Sequence, residues 1–141
     1  MNTKTLLAAL VGAITFFLFG WLVYGILLKS FMEENFNHCL NRKPEEMIMW
    51  AMVVSNLFFG YLFSLIFSWA KINDFMSGLT KGAFLGLIFS AFIDFQFYAM
   101  TTWFNNITSM IIDIVVWVLM CAIGGGVIAY MLGRGNSSES A

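Results

Sequence analysis

Four long apolar stretches fill most of this 141-residue chain, and their length is what most limits the folds open to it. About 20 apolar residues suffice to cross the hydrocarbon core of a bilayer as a helix. Helices are the only open-ended elements that do so without stranding backbone polar groups. The stretches read as spans at Thr5–Leu28, Glu46–Ala70, Leu79–Trp103 and Ser109–Leu132. Each is roughly 35 Å long at helical rise, enough for a core of about 30 Å with some tilt. The expected fold is therefore all-α, an integral membrane four-helix bundle. Residues 1–135 form a single four-span transmembrane domain and residues 136–141 a short disordered tail. The first stretch is about twice as long as a signal-peptide core and lacks a small-x-small cleavage site, so it reads as a retained span.

Composition narrows the function classes. Hydrophobic residues make up 60% and charged residues 11% of the chain, against about 25% charged in soluble domains. With a net charge of −1 and no Lys/Arg cluster, nucleic acid is excluded as a partner and a polybasic lipid site is absent. Cys39 falls in a connection and Cys121 inside the fourth span, at different depths, so a disulfide between them is not expected. There is no CxxC and no metal-ligand spacing, and no nucleophile–base pair, haem-ligating histidine pair or redox cysteine pair. The chain reads as a non-enzyme with no cofactor and no metal. No internal repeat of the inverted-transporter kind stands out.

Basic residues near the span ends set the expected orientation. Lys4, Lys71, Lys81 and Arg134 fall on one side, and Lys29, Arg42 and Lys43 on the other. The positive-inside rule then places both termini in the cytoplasm. Pro44, followed by Glu45 and Glu46, reads as the start of the second span, since proline suits the first helical position and carboxylates the positive end of the dipole. In the first connection, Leu28, Phe31, Met32, Phe36, Cys39 and Leu40 recur at helical spacing opposite Lys29, Glu33, Glu34, Asn37, His38 and Asn41. That pattern predicts a short amphipathic helix lying at the interface, or covering the mouth of a cavity. His38, the only histidine, reads as a solvated surface residue on it.

Polar residues inside the spans are few. Asp94 sits near the middle of the third span, where an aspartate costs about 2.5–3.5 kcal/mol on insertion scales and marks a functional site by default. Asn56 on the second span is expected at nearly the same depth, so Asp94 and Asn56 are the expected polar pair. Asp113, with Tyr24 and Tyr98 at similar height and Trp21 a little deeper, is expected closer to the headgroups. That puts the two aspartates in layers about 8 Å apart and argues against a shared-proton dyad. An ion site would need Asp94, Asn56, Ser55, Gln96 and Asp113 to converge. The plain alternative for Asn56 and Gln96 is interhelical glue, worth roughly 0.6 kcal/mol.

Small residues recur every fourth position. Gly78, Gly82, Gly86 and Ser90 lead to Asp94 on the third span, and Gly125, Ala129 and Gly133 follow the same spacing on the fourth. Such stripes let helix backbones approach closely. They fit packing within the bundle, and they also fit a homodimer through one stripe or a larger membrane complex. The many aromatics, 18% of residues, are expected mostly at lipid-facing or interfacial positions.

The run Gly20-Trp21-Leu22-Val23-Tyr24-Gly25, then Gly82-Ala83-Phe84-Leu85-Gly86, Ile112-Asp113 and Gly124 to Gly126, resembles a bacterial four-span family. It is domain-of-unknown-function family seventeen-sixty-one. The resemblance implies a protein of the bacterial inner (plasma) membrane and transfers no activity. The functional expectation is a ligand-binding or accessory membrane bundle with a buried Asp94. The alternative is a small oligomeric proton- or ion-coupled transporter in which Asp94 titrates.

Overall fold

The computed structural model describes residues 3–134, apart from the side chains of Leu40 and Pro44. The expected tail at residues 136–141 lies outside the described residues. The chain runs as α1 (Thr3–Leu22), which continues through a π-helical turn at Val23–Leu27, then α2 (Lys29–Asn35), α3 (Met49–Trp69), α4 (Phe75–Met100) and α5 (Ile107–Gly133). Among the described residues there is no strand, only an isolated antiparallel bridge between Phe36 and Phe104. Four helices, counting α1 with its π turn, are long and apolar enough to cross a membrane. Below, the terminal end of the bundle is the one holding Thr3 and Arg134, and the loop end is the opposite one.

Packing follows from the small residues. Gly78, Gly82, Gly86 and Ser90 are buried along one face of α4, opposite Cys121, Gly125 and Ala129 on α5. A Cβ added at Gly78 would lie 2.6 Å from the Gly125 carbonyl oxygen, and one at Gly86 would lie 2.5 Å from the Cys121 Cβ. The two backbones are in contact, and the stripe is covered within the chain. Gly60 of α3 meets α1 in the same way, 2.5 Å from the Ala9 carbonyl oxygen by the same construction. The Ser64 hydroxyl donates to the Thr5 carbonyl at 2.7 Å and ties these two helices near the terminal end. Phe16, Phe63, Phe67, Cys121 and Ile128 fill the space between the pairs, with Phe16 edge-on to Phe59 at 4.8 Å and to Phe63 at 5.4 Å.

Helix ends differ from the sequence expectation, and each difference has a local cause. The Asp74 side chain accepts the Ser77 N–H at 2.9 Å, so α4 starts at Phe75 rather than Leu79. Asn106 accepts the Ser109 N–H at 2.9 Å and starts α5 at Ile107. Thr101 turns extended (φ −137, ψ 169), so α4 ends at Met100, short of Trp103. Pro44 does not start the second span. It opens a 3-10 turn closed by Glu46 N–H to Lys43 O at 2.9 Å, and non-helical Ile48 delays α3 to Met49. At the other end of α3, Lys71 adopts a left-handed φ of 55, which lets the Ile72 N–H return to the Phe67 carbonyl at 2.9 Å.

The first connection is also corrected. Its helix covers only Lys29–Asn35, because Phe36 turns extended (φ −119, ψ 148). The released backbone pairs with the α4–α5 turn, through Asn37 N–H to Trp103 O at 2.8 Å and Asn105 N–H to Asn35 O at 3.1 Å. Phe36 is buried against Phe104, with ring centroids 5.1 Å apart, and edge-on to Trp103 at 6.1 Å. Tertiary pairing wins here over amphipathic period, and the connection becomes a roof over the loop end.

The glycine contacts make a direct prediction. An alanine Cβ at Gly82 would strike the Cys121 carbonyl oxygen, with the Gly125 Cα at 3.1 Å behind it. Neither atom can swing aside. Gly82→Ala should therefore destabilise the bundle by about 1–3 kcal/mol. Gly20→Ala, where the nearest atom is the Met120 methyl at 3.6 Å, should stay within about 0.5 kcal/mol of wild type. Equal unfolding midpoints for the two variants in mixed micelles would show that α4 and α5 do not depend on this contact.

Candidate functional site

Asp94 lies six residues from the loop-end terminus of α4, and Asp113 six residues from that of α5. Both are thus about 9 Å below their helix ends. This overturns the expectation of separate layers. The revised boundaries at Met100 and Ile107 raise Asp94 and lower Asp113 until their heights match. Asp94 is 5% and Asp113 9% exposed, and both line one cleft. The two acids share a layer rather than standing about 8 Å apart.

A third side chain completes the cluster. The Tyr24 hydroxyl donates to Asp113 Oδ1 at 2.9 Å, bridging α1 to α5. Tyr24 belongs to the π-helical turn, closed by Leu28 N–H to Val23 O at 2.7 Å. A π turn inserts a residue and re-aims the side chains around it, and such turns recur at functional sites. The indole of Trp117, one turn further along α5, stands beside the cluster. Asp113 thus has a donor in Tyr24, whereas Asp94 Oδ2 is buried with no hydrogen-bond partner. Ser90, one turn away, donates back to Gly86 O at 2.8 Å.

The cluster opens into a cleft of about 330 Å³ beneath the roof. Besides Tyr24, Asp94 and Asp113 its walls are apolar and mostly aromatic: Met32 and Phe36 from the connection, Ile93 and Phe97 from α4, Trp103 and Phe104 from the turn, and Trp117 from α5. Most aromatics are expected at lipid-facing or interfacial positions, but Phe36 and Phe104 are buried. The periodicity of the first connection marked Phe36 as apolar-facing, but only the pairing of Asn37 with Trp103 shows what it faces.

The other expected site residues go elsewhere. Asn56 does not pair with Asp94. Its amide donates to Met52 O at 2.8 Å in its own helix, and it borders a neighbouring cleft of about 340 Å³ with Phe59, Phe89 and Trp117. α3 packs on α1 and hardly on α4, so equal depth does not bring the two side chains together. Ser55, Gln96, Tyr98 and Trp21 are exposed on outward faces, Trp21 at 63%. The five-oxygen ion site thus does not assemble. Asp94, Asp113 and Tyr24 are brought together, and the residues missed were the aromatic walls.

Chemically, the arrangement offers two facing carboxyls, one of them with an unused oxygen, in an apolar aromatic setting. Comparison with known proteins returns no matching family model, no matching curated protein and no matching solved structure.

The Tyr24–Asp113 bond joins elements far apart in sequence and can be isolated by a double-mutant cycle. Tyr24→Phe and Asp113→Ala should couple by about 0.5–2 kcal/mol in reversible unfolding. Additive single effects would mean that the phenol and the carboxyl do not interact.

Proposed function

We propose that the chain is a multi-pass protein of the bacterial inner membrane, with both termini cytoplasmic, whose loop-end cleft holds a small ligand at Asp94. The observation that carries this reading is the unpartnered Oδ2 of a carboxyl buried at the wall of an aromatic cleft. A buried polar atom without a partner costs about 1–3 kcal/mol, more when charged. The cleft volume of about 330 Å³ is at the lower end of the roughly 300–1,000 Å³ typical of small-molecule sites. In this reading the chain is a binding or accessory bundle rather than an enzyme, and the membrane assignment is supported by four helices long and apolar enough to cross a bilayer.

A second reading, a proton-coupled carrier titrating at Asp94, draws on the two carboxyls that line one cleft, since acids sharing a site readily share one proton. Two measurements on the same preparations separate the readings. Protein purified from its native membrane should carry a small molecule, detectable by mass spectrometry after extraction, that Asp94→Asn loses while keeping its helical circular dichroism. Identical extracts from both proteins would overturn ligand binding at Asp94. Proton flux in proteoliposomes that Asp94→Ala leaves unchanged would remove the carrier.

Orientation has its own test. Cys39 is exposed near the loop end and Cys121 is buried. A membrane-impermeant maleimide added to intact spheroplasts should label Cys39 and spare Cys121. Labelling that requires opened membranes would place the termini outside.

A further inference from the structure

We infer that the ligand of the loop-end cleft is a protonated hydrophobic primary amine, its ammonium held between Asp94 and Asp113 and its apolar part among the aromatic walls. This rests on the ligand-binding reading above and adds the chemical class.

Charge comes first. Two carboxyls line the cleft, and no lysine, arginine or histidine is among its described lining residues. The titratable groups facing Asp94 are Asp113 from α5 and Tyr24 from α1, with Cys121 of α5 near Tyr24. None of them supplies positive charge. An anionic ligand would add like charge beside the acids, whereas a cation favours their ionised form. Hydrogen bonding comes next. Asp94 Oδ2 needs a donor, while the Tyr24 hydroxyl is already engaged with Asp113 Oδ1. An ammonium presents three N–H donors, enough for Asp94 Oδ2 with others to spare for Asp113. A quaternary ammonium presents none. The walls then choose the rest of the molecule. Phe36, Phe97, Trp103 and Phe104 enclose the apolar side, and aromatic faces attract a cation within about 6 Å of the ring centre. A divalent metal fits less well, since hard cations take about six or more oxygen ligands and no cluster of three acidic, cysteine or histidine side chains able to hold a metal exists among the described residues.

The test uses the full chain in nanodiscs, with empty nanodiscs subtracted, and calorimetric titration of four probes of one shape. They are 2-phenylethylamine, its N,N,N-trimethyl derivative, 2-phenylethanol and 3-phenylpropionate. The amine should bind most tightly, by about tenfold or more over the alcohol, with the carboxylate weakest. Asp94→Asn should lose about tenfold for the amine and little for the alcohol. The ranking among probes on wild-type protein stands even if that variant fails to fold. Alcohol binding equal to amine binding would overturn the inference while leaving a ligand site in place. Trimethylated amine equal to the primary amine would also overturn it, because Oδ2 would not be the recognising atom. No binding by any probe would overturn it too, and the extracted-ligand comparison then decides independently whether Asp94 holds some other molecule.

Discussion

The backbone contact between α4 and α5 is the constraint on which the rest of this structure depends. Where Gly82 faces the Cys121 carbonyl, no side chain separates the helices, and their relative height is fixed by backbone atoms alone. Residues four apart share a helix face. Stepping from Gly82 along α4 leads through Gly86 and Ser90 to Asp94, and stepping from Cys121 along α5 leads through Trp117 to Asp113. An aspartate carboxyl reaches only two bonds from the backbone, so the two can touch only if the helices stay this close near the loop end. Larger residues in the stripe would part the helices and the carboxyls together. The packing stripe and the polar cluster are thus one device.

Tyr24 shows the complementary solution. It reaches Asp113 from α1, a helix that packs mainly against α3 and less extensively on α5. A long side chain covers that distance, and the π turn at Val23–Leu27 sets its direction. The same turn ends the straight run of α1 and delivers the chain into α2, whose continuation at Phe36 and Asn37 pairs with the α4–α5 turn. The phenol and the roof therefore come from a single local departure from α-helical geometry.

What was legible in the sequence follows from which physics acts locally. Apolar run length identifies four helices long enough to cross a membrane whatever they pack against, and the four-residue recurrence of Gly78, Gly82, Gly86 and Ser90 is a property of one helix. The shared layer of Asp94 and Asp113 was not legible, because it depends on helix ends. The stop at Thr101 and the cap at Asn106 moved the loop-end boundaries by three and two residues, enough to cancel an offset of roughly 8 Å at 1.5 Å per residue. Asn56 failed for a different reason. Depth along the bundle can be counted from sequence, but the direction of a side chain around the helix axis depends on neighbours, and at Asn56 the Met52 carbonyl is the nearer partner. The aromatic walls were hidden because Phe36, Trp103 and Phe104 come from two connections whose pairing is entirely tertiary.

Packing is uneven along the bundle, and the unevenness suits a site at the loop end. In α3 the buried residues are Gly60, Phe63, Ser64 and Phe67, all in its terminal-end half. Its loop-end half is exposed, Trp50 at 71% and Phe58 at 69%. The glycine contacts between α4 and α5 likewise run from Gly78 to Gly86 and stop before Ser90. The terminal end is held by backbone-to-backbone contact, which leaves little freedom to shift, while the loop end is held by side chains and two short backbone pairings. A cluster of carboxyls needs both regimes. Rigid helices must keep the two acids opposed, since a misplacement of about 1 Å is enough to spoil a polar constellation. Walls that can move must admit and enclose whatever the acids bind, and regions with few buried contacts are where such opening is least costly. Asp94 and Asp113 lie at the border between the two, on the stiff pair of helices but under the looser roof.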